Sequence, residues 1–231
     1  MSLMNALNAG LPFDAHNQQH SHFQIVLIFK TFFAMLAGDE SLTTVGELSD
    51  ALVETPAFDL AARKLQRDPA CARLIRDRYI PANYNLDLLL TYPPDSLGYI
   101  YASTLKNAAF NPNLHTGMSA ESEAKYVELR LSQTHDIWHI ITGFDTSPLG
   151  EIGLQAVHLA QFPYPLATML VANSLISSTL LEPESLPSLL QAISRGWQMG
   201  ETAGALFAPK WEEAWDKPLA QWRAELNIQA I

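Results

Sequence analysis

The chain has 231 residues, 48% of them apolar and 16% charged, and its 24 Asp and Glu against 14 Lys and Arg leave a net charge of −10 with histidine neutral. A length of this order fits one domain with a sizeable core, and 14 Pro and 11 Gly spread along the chain exclude fibrous and disordered classes. The acidic balance repels phosphate backbones, which excludes nucleic acid as a general partner, and the single cysteine, Cys71, excludes an internal disulfide.

No Lys or Arg precedes Lys30, so the beginning lacks the basic region of a secretory signal and the Arg-rich face of a transit peptide. The expectation is a cytoplasmic protein with no signal or transit peptide, in peripheral contact with the inner face of the membrane at most. Two stretches approach membrane hydropathy, residues 23–38 and 166–181. The first contains Lys30 and the second Asn173 with several Ser and Thr, and both fall short of the roughly 20 apolar residues that span a bilayer. Amphipathic helices would supply any lipid contact.

In chain order, residues 1–21 are polar and aperiodic and are expected to form a flexible lead-in. The domain proper is predicted over residues 22–231. Phe23, Val26, Leu27, Phe33 and Leu36 recur at helical spacing up to Gly38. Thr44-Val45-Gly46-Glu47 has the spacing of a capping box and opens a second helix. Residues 57–67 and 70–78 form two more, divided at Asp68-Pro69, because proline can open a helix but not continue one. A short helix over 86–90 precedes Tyr92-Pro93-Pro94-Asp95, and 97–110 is helical until Asn111-Pro112-Asn113. A long helix spans 121–142. Ser147-Pro148 starts one that reaches about Gln161, and Pro165 starts another that ends before Glu182-Pro183. Residues 186–208 and 211–226 complete the set. No run alternates with period two and no repeat has a fixed period, so the fold class is all-α, a single-domain bundle of about ten helices.

The densest group of ligand-type side chains is His135-Asp136-Ile137-Trp138-His139, followed by Glu151. Positions i and i+4 share a helix face, so His135 and His139 project together from the long central helix, with Asp136 three before His139. The break over residues 143–150 reverses the chain and can carry Glu151 back over the same stripe. Two imidazoles and up to two carboxylates suit zinc or another borderline divalent metal, with magnesium or iron as alternatives, and the lack of thiolates argues against an iron–sulfur cluster. Each member also has an ordinary structural explanation; a glutamate in a first turn, for example, is favoured by the helix dipole alone. Asp136 stands where zinc proteases have a glutamate base, so their hydrolytic mechanism does not follow.

Other candidates carry less. His16, His20 and His22 read as a solvated cluster in the lead-in. His158, seven after Glu151, is either a donor behind the ligands or a packed histidine. Cys71 reads as a small core residue, and Trp197, Trp211, Trp215 and Trp222 as helix packing. No Gly-x-Gly-x-x-Gly or phosphate-loop lysine motif is present.

His135-Asp136-x-x-His139 with Glu151 resembles the signature of the ubiquinone (coenzyme Q) biosynthesis protein Coq-four family. The resemblance extends over most of the chain. It takes in Asp68-Pro69, residues 90–101, Tyr126-Val127 and Arg130 before the signature, then Gly143, Thr146, Leu149-Gly150-Glu151 and Gln161-Phe162-Pro163. Toward the end it includes residues 196–200, Trp211-Glu212-Glu213, Leu219 and Arg223. One departure is that Leu131-Ser132 stands where the family carries a Tyr-Arg pair, so a role for that arginine on an anionic head group does not transfer.

The resemblance implies an all-helical protein holding a divalent metal, zinc foremost, through His135, Asp136, His139 and Glu151. It further implies a polyprenyl lipid or quinone precursor as ligand and other quinone-biosynthesis proteins as partners; a homo-oligomer stays open beside these. The activity it implies is removal of the ring carboxyl group by a metal-dependent lyase, a decarboxylase of a polyprenylated hydroxybenzoate, with Asp136 either a fourth ligand or the proton donor and acceptor. One alternative is a non-catalytic isoprenoid-lipid-binding scaffold that organises the biosynthetic assembly. Another is an HD-type metal phosphohydrolase, for which His115 and Asp145 are the nearest additional ligands, both in predicted loops.

Overall fold

In this computed structural model the described residues are 18–39, 41–113 and 119–231. Among them the fold is all-α, with eleven α-helices, two short 3₁₀ turns and no strand. The lead-in expected over residues 1–21 falls mostly outside the described residues, and the first helix begins earlier than expected, at Gln18.

The chain divides into two compact units at Thr55/Pro56. In the first, α1 (Gln18–Leu36) is followed by α2 (Leu42–Val53), joined through Gly38 at φ +97°, a conformation that favours glycine. The expected capping box at Thr44–Glu47 is not the helix start. Ser41 caps α2 by accepting from the Thr44 amide, while the Thr44 hydroxyl donates to Asp39 at 2.7 Å, so Thr44 lies inside the first turn.

The second unit holds the helices α3 (Pro56–Leu65), α4 (Pro69–Asp77), α5 (Leu86–Leu89), α6 (Leu97–Asn107), α7 (Glu123–Thr142), α8 (Pro148–Gln161), α9 (Pro165–Leu180), α10 (Leu186–Thr202) and α11 (Leu219–Glu225). Local chemistry sets most of the starts. Asp68, Asn85, Ser96, Ser122 and Ser147 each accept from amides of the first turn that have no partner within the helix. Residues 211–226, expected to be one helix, hold only a 3₁₀ turn at Trp211–Glu213 and then α11, since Pro218 cannot donate into a continuing helix. The segment between is tied to the start of α6, where the Leu97 and Gly98 amides donate to the carbonyls of Lys217 and Trp215.

The core gathers around α7, whose Tyr126, Val127, Ile137, Trp138 and Ile141 are fully buried. Arg130 is buried with them and pairs with Glu212 at 2.7 and 3.0 Å while donating to the Pro209 carbonyl at 2.9 Å. This fastens the irregular segment across α7. Helices α8 and α10 pack backbone to backbone through Gly153, Gly196 and Gly200; a Cβ at Gly196 would stand 2.0 Å from the Gly153 carbonyl oxygen. Trp211, Trp215 and Trp222 are buried as expected, whereas Trp197 is substantially exposed. Cys71 is buried, which, with the Asp68 charge beside it, pushes its thiol up to about 12, so it is an inert core residue.

Candidate metal centre

The site forms where α7 ends and α8 begins. Gly143, at φ +86°, closes α7 as a left-handed cap, its amide donating to the His139 carbonyl. Arg223 of α11 donates to the Ile140 and Ile141 carbonyls at 2.8 and 3.0 Å, covering acceptors that the helix leaves free and opposing the negative end of its dipole. The chain then turns back tightly. The Phe144 ring lies where a Cβ on Gly153 would stand 2.1 Å from it, and Asp145 presses equally close on Gly150, so glycine at both positions lets the turn fold onto α8. Ser147 caps α8, Pro148 opens it and Glu151 falls in its first turn.

This turn does two things for the histidines. The Phe144 carbonyl accepts from His139 Nδ1–H at 2.9 Å, so in the neutral ring the lone pair is on Nε2. Glu151 meets both imidazoles, with Oε1 3.2 Å from His139 Nε2 and Oε2 3.3 Å from His135 Nε2. The two Nε2 atoms are 3.1 Å apart. His139 is buried, while His135 and Glu151 are each about one-third exposed, so the cluster opens to one side. Burial works against the Glu151 carboxylate, but hydrogen bonds and charge from the two imidazoles outweigh it and hold the group at about 2. Burial also opposes a charged His139, and the bond to Glu151 outweighs that, raising its pKa.

Three ligand atoms of His135, His139 and Glu151 therefore lie within 4.8 Å of one another, and these residues could hold a divalent cation. Ligands 2.0–2.1 Å from a tetrahedral ion stand about 3.3 Å apart, close to the spacings of the three donors. A shared proton also suits these distances, but a cation satisfies three inward-facing lone-pair atoms at once.

Asp136 is not one of the three. It is half-buried one residue along α7, and its charge acts on the buried Tyr101 hydroxyl and on His139. Asp145, the formal phosphohydrolase ligand, accepts from the Ser147 amide at 3.1 Å and is absent from the cluster; His115 lies outside the described residues, as does His16. His20 and His22 fall within the span of α1. His158 is fully buried, with Nδ1–H donating to the Leu154 carbonyl at 3.0 Å and its ring stacked on Trp138. Pattern reading missed the Phe144 carbonyl, a backbone atom without sequence identity, and the pairing of Tyr164 with buried Glu128 at 2.7 Å. The reversal ending in Gly150-Glu151 was the available signal for the first; none pointed to the second.

Residues 13–231 match the family model described as coenzyme Q (ubiquinone) biosynthesis protein Coq4. Among curated proteins, the chain is 27% identical over 181 residues to the mitochondrial ubiquinone biosynthesis protein COQ4 homolog of Aedes aegypti, covering 76% of this chain and 65% of that one. It is 26% identical over 220 residues to the mitochondrial COQ4 of Podospora anserina, covering 90% and 71% respectively. The alignments thus span about two thirds of the length of such relatives. A crystal structure from Nostoc punctiforme PCC 73102, of a protein provisionally named for ubiquinone biosynthesis, superposes with a TM-score of 0.81 at 31% identity, covering 90% of this chain and 97% of that chain.

Proposed function

The chain belongs to the coenzyme Q (ubiquinone) biosynthesis protein Coq4 family, and from that premise we propose that it holds a divalent metal, zinc foremost, at His135, His139 and Glu151 and acts there on a polyprenylated ring precursor. The observation that carries the reading is the convergence of three donor atoms at 3.1–3.3 Å with the His139 tautomer set by the Phe144 carbonyl. The reaction we assign is removal of the ring carboxyl group. A bound metal would supply positive charge to hold the carboxylate or a ring oxygen and to draw off charge as carbon dioxide leaves. Loss of carbon dioxide leaves an electron pair on the ring carbon, which must take up a proton. Asp136, beside the cluster but outside it, is the side chain we assign to move that proton, or else to complete the ligand set. Glu151 stays ionised throughout, and His139 remains oriented by the Phe144 carbonyl.

Action at a membrane surface, with other quinone-biosynthesis proteins as partners, is part of the same proposal. No described helix is long and apolar enough to cross a membrane. Peripheral contact is supported by α1, where Phe23, Val26, Phe29 and Phe33 are all more than half exposed and Lys30 is the one Asp, Glu, Lys or Arg. A scaffold without catalysis is the second reading, favoured by apolar residues left open around α9 and α10: Leu180, Leu181, Leu190 and Trp197.

Elemental analysis and a carbon dioxide release assay on a prenylated hydroxybenzoate, for the wild type and His139→Ala, test the proposal. One divalent metal per chain and activity in the wild type, both lost in the variant, is the expected result. Full metal and full activity in His139→Ala would sink it, and metal without turnover in the wild type would move the assignment to the scaffold.

A further inference from the structure

At the opposite end of α8 from Glu151, an open cleft of about 520 Å³ lies between the outer side of α3 and the chain leaving α8. Its walls differ in chemistry. Arg63 and Lys64 from the last turn of α3 and Arg67 from the turn that follows line one part, and Leu60, Leu159 and Pro163 line another. In a chain with 14 basic residues against 24 acidic ones, three cations around one cleft run against the overall charge.

These cations are exposed, and among the described residues none forms an ion pair. Of the adjacent acids, Asp59 stands exposed one turn before Arg63 on α3 without an ion pair to it, and the other two are held elsewhere. Asp68 accepts from the Ala70 and Cys71 amides at the start of α4, and Glu123 accepts from Gln66 at 2.7 Å. Gln161, also in the wall, is fixed by the Gly204 carbonyl and the Leu206 amide at 2.8 and 3.0 Å, so its amide does not compete for a ligand. Helix-dipole preference accounts for basic residues in the last turn of α3. It accounts neither for Arg67, beyond the helix, nor for Leu60 standing 55% exposed beside them.

Unpaired guanidinium and ammonium groups next to an apolar wall match an anionic head joined to hydrocarbon. Phosphate oxygens suit the arginine fork, and the volume falls within the usual range for small-molecule sites. We infer that this cleft binds one anionic phospholipid, its phosphate against Arg63, Lys64 and Arg67 and its first acyl carbons against Leu60, Leu159 and Pro163. The site is separate from the His135–His139–Glu151 cluster and does not depend on the metal reading.

The test uses the full chain with a chelator present, which silences phosphate binding at any metal, and titrates dihexanoylphosphatidylglycerol below its micelle concentration alongside glycerol phosphate. The lipid is expected to bind at least about tenfold more tightly than glycerol phosphate and to lose at least about tenfold in an Arg63→Gln/Arg67→Gln variant, whose changes lie on exposed side chains. Leu60→Ser should weaken the lipid and leave glycerol phosphate unchanged, and His139→Ala should alter neither. Equal binding of the two probes would overturn the lipid assignment in favour of a small-phosphate site. Unchanged lipid binding in the arginine variant would overturn the cleft as the site altogether.

Discussion

The indole of Trp138 lies flat on the imidazole of His158, ring centroids 4.2 Å apart and planes within 8°. Trp138 sits between the histidines of α7, and His158 is two turns along α8 from Glu151, on the same side of that helix. The stack and the Glu151 contacts thus join α7 to α8 at two points, fixing the register in which a carboxylate from one helix reaches both imidazoles of the other.

His158 makes that arrangement acid-sensitive. Burial, reinforced by the nearby His135, pushes its pKa down to about 3. The unfolded chain takes up this proton near pH 6.5, so between the two values it binds more protons than the folded protein. Stability should therefore fall as pH drops from about 6.5 toward 3, by up to about 1.4 kcal/mol per pH unit from this group. Urea midpoints with chelator present at pH 7, 6 and 5 should fall more steeply for the wild type than for His158→Gln. Equal slopes would show that His158 is not held neutral.

Arg130 and Glu212 form a buried pair with two contacts, and Glu212 also accepts from the Tyr84 hydroxyl. Arg130→Met leaves that carboxylate buried without its cation, which should cost about 3–5 kcal/mol. Urea denaturation measures it, and a loss below about 1 kcal/mol would place the pair among weak surface contacts.

Two glycines should respond in opposite directions to alanine. At Gly196 the added carbon meets the Gly153 carbonyl at 2.0 Å and forces α8 and α10 apart, at about 3 kcal/mol. At Gly46, inside α2, nothing lies within 4 Å, so alanine should stabilise by about 0.5–1 kcal/mol through helix propensity. Thermal melts of the two variants should move to opposite sides of the wild type.

Metal should stabilise the fold if it binds only the native cluster. At a hundredfold excess over the dissociation constant the gain is about 2.7 kcal/mol, read as a rise in melting temperature that chelator reverses. Glu151→Gln keeps the shape but removes the negative charge, so its rise should shrink sharply. An identical rise in the variant would locate the metal elsewhere.

Much of the candidate site follows from the sequence by itself, because its determinants are local. The i, i+4 spacing puts His135 and His139 on one face, Ser147-Pro148 starts α8, and the short reversal before it brings Glu151 within reach. The helix starts at Asp68 and Ser96 are legible for the same reason, a side chain that satisfies amides two or three residues away, whereas the long helix expected from residue 121 starts at Glu123 with Ser122 as its cap. The tertiary structure alone decided what depends on residues distant in the chain. Gly153 and Gly150 admit the turn that aims the Phe144 carbonyl at His139, and the bonds from the Leu97 and Gly98 amides fasten the non-helical segment before Pro218 to the start of α6. Asp136 has the spacing of a ligand yet stands outside the cluster of three donor atoms, one position along α7 from His135 and so about 100° round the helix from it. Local hydrogen bonding is written residue by residue; helix register is settled by steric fit between surfaces that no short window of sequence contains.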